Sequence, residues 1–305
     1  MMPFPYLRRP RVTLGNRCCL LAFLVFVAPA WAAEDQFFDS NGAKLRYRVE
    51  GQGEPVLLIH GFGGNEGLQW ELPGVIKELA KEYQVIAYDN RGHGRSDKLH
   101  EPEKYGIEMI DDAVRILDHL EIDRAHVVGY SMGGFIAAKL AVTHPDRMIS
   151  VTLGGAGWHR NDPRFAALRE QVVDSLASGR GISPLLEALS PTGKPKRTPG
   201  QLRIINAVFS FANDAKALEA VFRGMDQFDV KEEQLKANRV PTLAIVGGED
   251  PLKVTVDELQ GVMAELKVVV VDGAGHMSCV FRPEFIAAIC EFLAEHKAAP
   301  PADAR

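Results

Sequence analysis

The apolar positions of this chain fall into two kinds of run. The first kind is short and nearly continuous: Pro55–His60, Val85–Tyr88, Ala125–Val128, Met148–Leu153, Thr242–Val246 and Lys267–Val271 are dense in Val, Ile and Leu. Runs this short without polar alternation fit strands buried on both faces, as in a parallel sheet. The second kind recurs at helical spacing. Gly67–Tyr83 carries Leu72, Val75, Ile76, Leu79 and Ala80 on one side, Ile107–Leu120 and Pro283–His296 read the same way, and Phe135–Val142 has the Ala and Leu content of a helix. Ahead of them, Phe37–Asp39 and Lys44–Val49 flank Ser40-Asn41-Gly42, the signature of an antiparallel hairpin, with Leu45, Tyr47 and Val49 alternating. Strand and helix signals that take turns in this way predict an α/β fold.

The rhythm breaks once. From Trp158 to about Asn238 the strand signal disappears, and helical segments are expected near Phe165–Leu176, Gln201–Phe211 and Asp214–Met225, interrupted by the Pro- and Gly-rich Ser190–Gly200. This insertion follows the carboxyl end of a strand, so it is placed to act as a lid over a site. Lys194, Lys196 and Arg197 in its loop read as solvated cations. Trp158, Phe209, Phe211, Phe222 and Phe228 fit the core of the lid, with an apolar acyl pocket as the alternative.

Composition narrows the field. The 305 residues are 46% hydrophobic and 25% charged, enough for one large domain with an insertion. The first 32 residues hold Arg8, Arg9, Arg11 and Arg17 and no acid, followed by the apolar Cys18–Ala28 and then Ala30-Trp31-Ala32. That order is an export leader with a small-x-small cleavage site after Ala32, and about eleven apolar residues are short for a bilayer span. Residues 1–32 are therefore set aside as signal peptide, with no stable membrane span after cleavage and a periplasmic or secreted destination. Their removal takes the formal charge from −5 to −9. An acidic chain without a basic stripe argues against nucleic acid as a partner. Cys279 and Cys290 remain, and their spacing does not by itself argue a bridge. No Cys/His cluster has zinc spacing, and neither metal nor cofactor is called for.

The chemistry centres on Gly129-Tyr130-Ser131-Met132-Gly133-Gly134, set between an apolar strand and an Ala-rich helix. Glycines two positions either side of a serine let the chain reverse sharply and hold the hydroxyl out at a helix N-terminus, the G-x-S-x-G nucleophile elbow. A second glycine loop, His60-Gly61-Phe62-Gly63-Gly64, follows the Pro55–His60 strand. Its Phe62 N–H, joined by the N–H of Met132, is the expected oxyanion hole. Asp89-Asn90-Arg91-Gly92-His93-Gly94-Arg95-Ser96 is read as a turn stapled by Asp–Arg and Ser hydrogen bonds, not as a catalytic group.

A serine hydroxyl needs a base, and the base needs an orienting carboxylate. Asp250 and His276 each follow a late strand on a glycine-flanked loop, and the order Ser131, Asp250, His276 suits this kind of sheet. Glu249 is the rival carboxylate, and Asp226 and Asp229 are further candidates.

Together, His60-Gly61-Phe62-Gly63-Gly64, the Asp89–Ser96 turn, the Ser131 elbow, Gly248-Glu249-Asp250-Pro251 and Gly275-His276 resemble the α/β-hydrolase fold family from about Asp39 to Ala294. The resemblance implies a mostly parallel eight-stranded sheet flanked by helices, with a helical cap inserted after the sixth strand. It divides the chain into a core of residues 33–156 and 239–305 and a cap of residues 157–238. It also implies a triad of Ser131, His276 and Asp250 and no cofactor. The aspartate that epoxide- and halide-acting relatives carry at the elbow is replaced here by Ser131. The expected reaction is hydrolysis of a small carboxylic ester or lactone, with a perhydrolase, an acyltransferase or a C–C bond hydrolase as alternatives using the same triad.

Overall fold

The structure, a computed structural model, describes residues 35–160 and 162–297; the leader expected at residues 1–32 and the frayed tail expected from Ala298 lie outside the described residues. Strands β1 (Gln36–Ser40) and β2 (Ala43–Glu50) form the opening hairpin, in which Asn41 and Gly42 take φ of 54° and 81° at the turn. The remaining strands are β3 (Glu54–Ile59), β4 (Tyr83–Tyr88), β5 (Ala125–Tyr130), β6 (Met148–Gly154), β7 (Thr242–Gly247) and β8 (Leu266–Val271). They make one eight-stranded sheet in the order β1-β2-β4-β3-β5-β6-β7-β8. β1 and β2 pair antiparallel with their neighbours, and every other pairing is parallel.

Helices α1 (Val75–Leu79), α2 (Ile107–His119), α3 (Met132–Thr143) and α10 (Pro283–Glu295) flank the sheet. Burial on both sides explains the unbroken apolar runs of β3 to β7; β8 departs from that expectation, since at the sheet edge it leaves Val270 42% exposed. In β3, Leu57 and Ile59 join the core that holds Ile116 and Ile136 of α2 and α3, while Val56 and Leu58 join the one that holds Ile76 of α1 and Phe285 and Ile289 of α10. Register then gathers the strand ends: Ile59 pairs with Gly129, Tyr130 with Gly154, and Gly247 with Val271. The loops after β3, β5, β7 and β8 consequently open at the same edge, the place where parallel sheets hold ligands.

One helix differs from expectation. Gly67–Tyr83 is not continuous; a π-helical turn over Gly67–Glu71 ends ahead of Pro73 and Gly74, and α1 starts at Val75. Pro73 has no N–H to continue the ladder, and Gly74 has φ 88°. Leu72 is left exposed instead of facing the core.

Between β6 and β7 the described residues hold helices and no strand: α4 (Pro163–Ala177), α5 (Ser183–Ala188), α6 (Pro199–Ala212), α7 (Ala215–Gly224) and α8 (Glu232–Ala237). The helices α5, α8 and the later α9 (Lys253–Asp257) were not legible as periodic segments, being too short to repeat a face. Asp162 and Asp214 cap α4 and α7 by accepting backbone N–H bonds, and Thr198 with Gln201 forms a capping box on α6. Lys194 is not a free solvated cation, since its Nζ lies 3.1 Å from Glu249, and Arg197 donates to the Leu186 carbonyl at 2.8 Å. Cys279 and Cys290 are separate free thiols.

Candidate active site

Ser131 stands between β5 and α3 with φ 55° and ψ −119°, a conformation that side-chain-bearing residues adopt only when the surroundings impose it. The imposition is visible in the glycines. A Cβ at Gly129 would sit 2.0 Å from the Gly133 carbonyl oxygen, and one at Gly133 would sit 2.0 Å from that of Ile59. Only bare backbone allows α3 to lie so close to β3 and β5. The Ser131 N–H donates to Gly154 O at 2.7 Å, and its own carbonyl accepts from Gly134 at 2.8 Å, which fixes the bend.

His276 and Asp250 reach the same point from the loops after β8 and β7, and both are buried. A carboxylate only accepts, so the 2.8 Å contact to Asp250 Oδ2 is donated by His276 Nδ1–H. That leaves Nε2 as the acceptor for the Ser131 hydroxyl, 2.9 Å away. Asp250 is itself held by the Leu252 N–H, which donates to Oδ1 at 2.8 Å. The rival Glu249 points elsewhere, to Lys194. Asp229 lines a separate shallow pocket with Trp158 and Val230.

Tyr130 holds the histidine from below. Its hydroxyl donates to the His276 carbonyl at 2.5 Å, and its ring packs 5.6 Å from both the His276 imidazole and the Phe285 ring. Burial pushes the phenol well above its ordinary pKa, so it stays a donor. Cys279 lies beside it, and burial pushes that thiol up to about 12. The sequence placed Tyr130 within the elbow but gave no sign of this bond, which joins residues far apart in the chain.

The loop after β3 is set by His60, a residue the sequence did not single out. Its Nε2 accepts the Asn90 N–H at 2.9 Å, so Nδ1–H is the donor to Gly61 O at 2.8 Å, and Asn90 Nδ2 closes the pair by donating to His60 O at 3.1 Å. Burial, only partly offset by Asp89, lowers the His60 pKa. The loop is thereby laid along the elbow: a Cβ at Gly61 would meet the Ser131 Cβ at 3.1 Å. Met132 is the first residue of α3, whose N–H has no acceptor inside the helix. Among the described residues neither it nor the Phe62 N–H donates to a protein group.

The Asp89–Ser96 turn is structural, with one change of partner. Asp89 accepts the Glu66 and Arg95 N–H groups at 3.0 and 2.8 Å, and Ser96 Oγ donates to Asp89 O at 2.5 Å. The arginine's carboxylate comes from α2, outside the turn: buried Arg91 clasps buried Asp112 at 2.5 and 2.6 Å. His93 is buried beside Phe62, its Nδ1–H donating to Arg91 O at 3.0 Å, and burial holds it well below its ordinary pKa.

Above Ser131 opens a cavity of 390 Å³ lined by Phe62, Met132, Phe135 and His276 and by Phe165, Leu168, Leu185, Ile205, Phe209 and Phe222 from the helical segment. Of the five aromatics weighed in the sequence, Phe209 and Phe222 line it. Phe228 and Trp158 are buried elsewhere, and Phe211 points to solvent. The polar side chains of the lining besides Tyr130, Ser131 and His276 are Gln69, His159 and Arg169, which the sequence had not marked. His159 Nε2–H donates to Met225 O at 3.0 Å, and burial pulls its pKa to about 4, so the ring is neutral at pH 7. An apolar, drug-sized cavity with a strained serine, a histidine and a carboxylate in hydrogen-bonded sequence at its base suits acyl transfer.

The α/β hydrolase fold profile matches residues 54–185. Over 278 residues the chain is 31% identical to the 2-hydroxymuconate semialdehyde hydrolase of Pseudomonas sp. strain CF600, covering 85% of this chain and 93% of that protein. The chain belongs to the α/β-hydrolase fold family. This α/β-hydrolase is also 32% identical over 264 residues to the dihydrolipoyllysine-residue acetyltransferase component of the acetoin cleaving system of Cupriavidus necator, covering 81% of this chain and 65% of that protein, so it spans about two thirds of that relative's length. Among solved structures, Est816, described as an N-acyl homoserine lactone degrading enzyme, superposes with a TM-score of 0.67 at 29% identity, over 84% of this chain and 100% of that one.

Proposed function

We propose that this hydrolase cleaves a carboxylic ester or lactone through an acyl-enzyme on Ser131. The observation that carries the reading is the bonded sequence Ser131 Oγ, His276 Nε2 and Nδ1, Asp250 Oδ2 at the base of an apolar cavity. Ser131 Oγ attacks the carbonyl carbon while His276 Nε2 takes its proton, and Asp250 stabilises the imidazolium. The oxyanion is held by the Phe62 and Met132 N–H groups, the second at the positive end of α3. Collapse expels the alkoxide, which takes the proton from His276. Water then repeats the sequence and releases the acid, restoring Ser131.

In this reading residues 157–238 form the cap whose inner face holds the acyl chain, on a core of residues 33–156 and 239–305. Residues 1–32 export the protein and are cut near Ala32. A mature N-terminus at Ala33 in periplasmic or secreted protein checks the export claim, and full-length protein in the cytoplasm contradicts it.

The experiment for the reaction is a series of p-nitrophenyl esters of rising chain length. Each methylene that enters the cavity contributes about 0.8 kcal/mol, roughly fourfold in kcat/KM, until the cavity is full. Loss of turnover in Ser131→Ala and a drop in kcat of about 10⁴ in Asp250→Asn support the triad. A series without chain-length dependence speaks against the acyl cavity. A second reading, C–C bond hydrolysis with the same serine, is favoured by the 31% identity to a 2-hydroxymuconate semialdehyde hydrolase over nearly that protein's whole length. Turnover of that semialdehyde in excess of every ester decides for it.

A further inference from the structure

Helix α6 is built unlike its neighbours. None of its residues is buried, although it runs from Pro199 to Ala212. Its inner positions, Ile205 and Phe209, line the cavity, and Phe209 lies against the loop after β3, where a Cβ on Gly63 would come 2.4 Å from its ring. Its outer positions are apolar too: Ile204, Val208 and Phe211 are 68%, 64% and 94% exposed. Spaced at i, i+4 and i+7, they form one stripe with Ala207 between them. Four more exposed apolar side chains, Leu68, Leu72, Met277 and Phe281, rim the same cavity. The apolar surface outside is thus continuous with the acyl cavity inside.

Charge identifies what this surface faces. From Ala188 to Asn213 the chain holds Lys194, Lys196, Arg197 and Arg203 and no acid, in a protein of net charge −5. Lys196 and Arg203 are exposed, and among the described residues neither has a carboxylate partner. On a helical wheel Arg203 borders the stripe, so its stem can lie along apolar surface with the guanidinium above it. An apolar face bordered by Arg203, with the exposed Lys196 on the loop that leads into the helix, is the pattern of a helix that lies in the headgroup region of an anionic bilayer. A second protein surface would have to cover the same stripe while supplying a carboxylate to Arg203, and Glu249, the carboxylate that reaches this loop, already pairs with Lys194.

We propose that α6 and the rim of the cavity dock onto an anionic lipid surface, with α6 in the plane of the headgroups and the cavity mouth facing the acyl chains. An apolar ester dissolved in the lipid would then pass to Ser131 beneath Phe209 without crossing water. The delivery step rests on the ester-hydrolase reading; the docking does not.

The test uses the full chain carrying Phe211→Trp, at a position so exposed that the substitution leaves packing untouched. Its fluorescence, taken as the difference from the parent, is followed with phosphatidylglycerol and with phosphatidylcholine vesicles. A blue shift with phosphatidylglycerol, weaker with phosphatidylcholine, is expected, and loss of the Arg203 charge in Arg203→Ser lowers the affinity about fivefold. The triple variant Ile204→Ser, Val208→Ser, Phe211→Ser should lose co-sedimentation with phosphatidylglycerol vesicles while hydrolysing a water-soluble short ester at the parent rate. No shift with either vesicle, or equal co-sedimentation of parent and triple variant, overturns the proposal. So does a parent dimer that the triple variant dissociates, since the stripe then belongs to a second copy. Ser131→Ala separates the two readings: vesicle binding that survives in a protein with no esterase activity upholds the docking, and docking by a parent that hydrolyses no ester removes the reaction alone.

Discussion

Tyr130→Phe removes one oxygen and leaves the ring, so it isolates the bond from the Tyr130 hydroxyl to the His276 carbonyl. That bond is 2.5 Å long, buried, and the ring contacts at 5.6 Å to His276 and Phe285 persist in the variant. The carbonyl left without its donor costs about 1–3 kcal/mol of stability, read as a shift in the denaturant midpoint at constant slope. The effect on rate comes through placement. Ser131 Oγ and His276 Nε2 are 2.9 Å apart, and the loop after β8 is tied at the histidine itself by Tyr130 alone among the described side chains, apart from the His276 bonds to Ser131 and Asp250. A misplacement of about 1 Å costs on the order of 10²-fold in kcat, which sets the upper bound; a tenfold loss with KM unchanged is expected. Steady-state kinetics on a short ester and urea unfolding of the same preparation give both numbers. A variant with parent kcat and parent midpoint would refute the positioning role. A loss in stability with kcat intact would leave the bond as a structural one only.

Three further outcomes follow from the buried groups. His159, pulled from its ordinary 6.5 to about 4 by burial, is favoured in its neutral form by folding. Its contribution is therefore present above pH 6.5 and is lost as pH falls toward 4, to the extent of about 3 kcal/mol, and the parent-minus-His159→Gln stability difference measured across that range should shrink accordingly. A flat difference contradicts it. Asp112→Ala strands the buried Arg91 and should cost about 3–5 kcal/mol in chemical denaturation; a cost below 1 kcal/mol would mean that the guanidinium finds water. Cys279, whose burial raises it to about 12, should resist iodoacetamide at pH 8 until the protein unfolds, whereas modification in the native state, mapped by peptide mass, would show the region around Tyr130 to be open.

What could be read from the chain was governed by local chemistry. Strands β3 to β7 showed because burial on both faces forces unbroken Val, Ile and Leu, and Ser131 showed because a reversal between β5 and α3 demands glycines at fixed offsets. Asp250 and His276 were marked by glycine loops after strands, yet the choice of Asp250 over Glu249 depended on which neighbour turns inward, and Lys194 draws Glu249 away. The helix over Gly67–Tyr83 was overextended because apolar spacing outweighed Pro73-Gly74 in the reading, while the backbone obeyed the proline. His159, Tyr130 and the Arg91–Asp112 clasp act across the fold, between residues separated by 66, 146 and 21 positions, and no local pattern signals such partners. The exposed stripe of α6 was hidden for the same reason: its residues are those of any core-facing helix, and only the structure shows which face is left bare.

The most direct measurement of the central claim is labelling of the folded protein with a fluorophosphonate, followed by peptide mass mapping. The account predicts a single phosphonyl adduct on Ser131, absent in Ser131→Ala and strongly slowed in His276→Ala. No adduct in folded protein, or an adduct formed at the same rate without His276, would contradict an activated serine and with it the proposed acyl-enzyme.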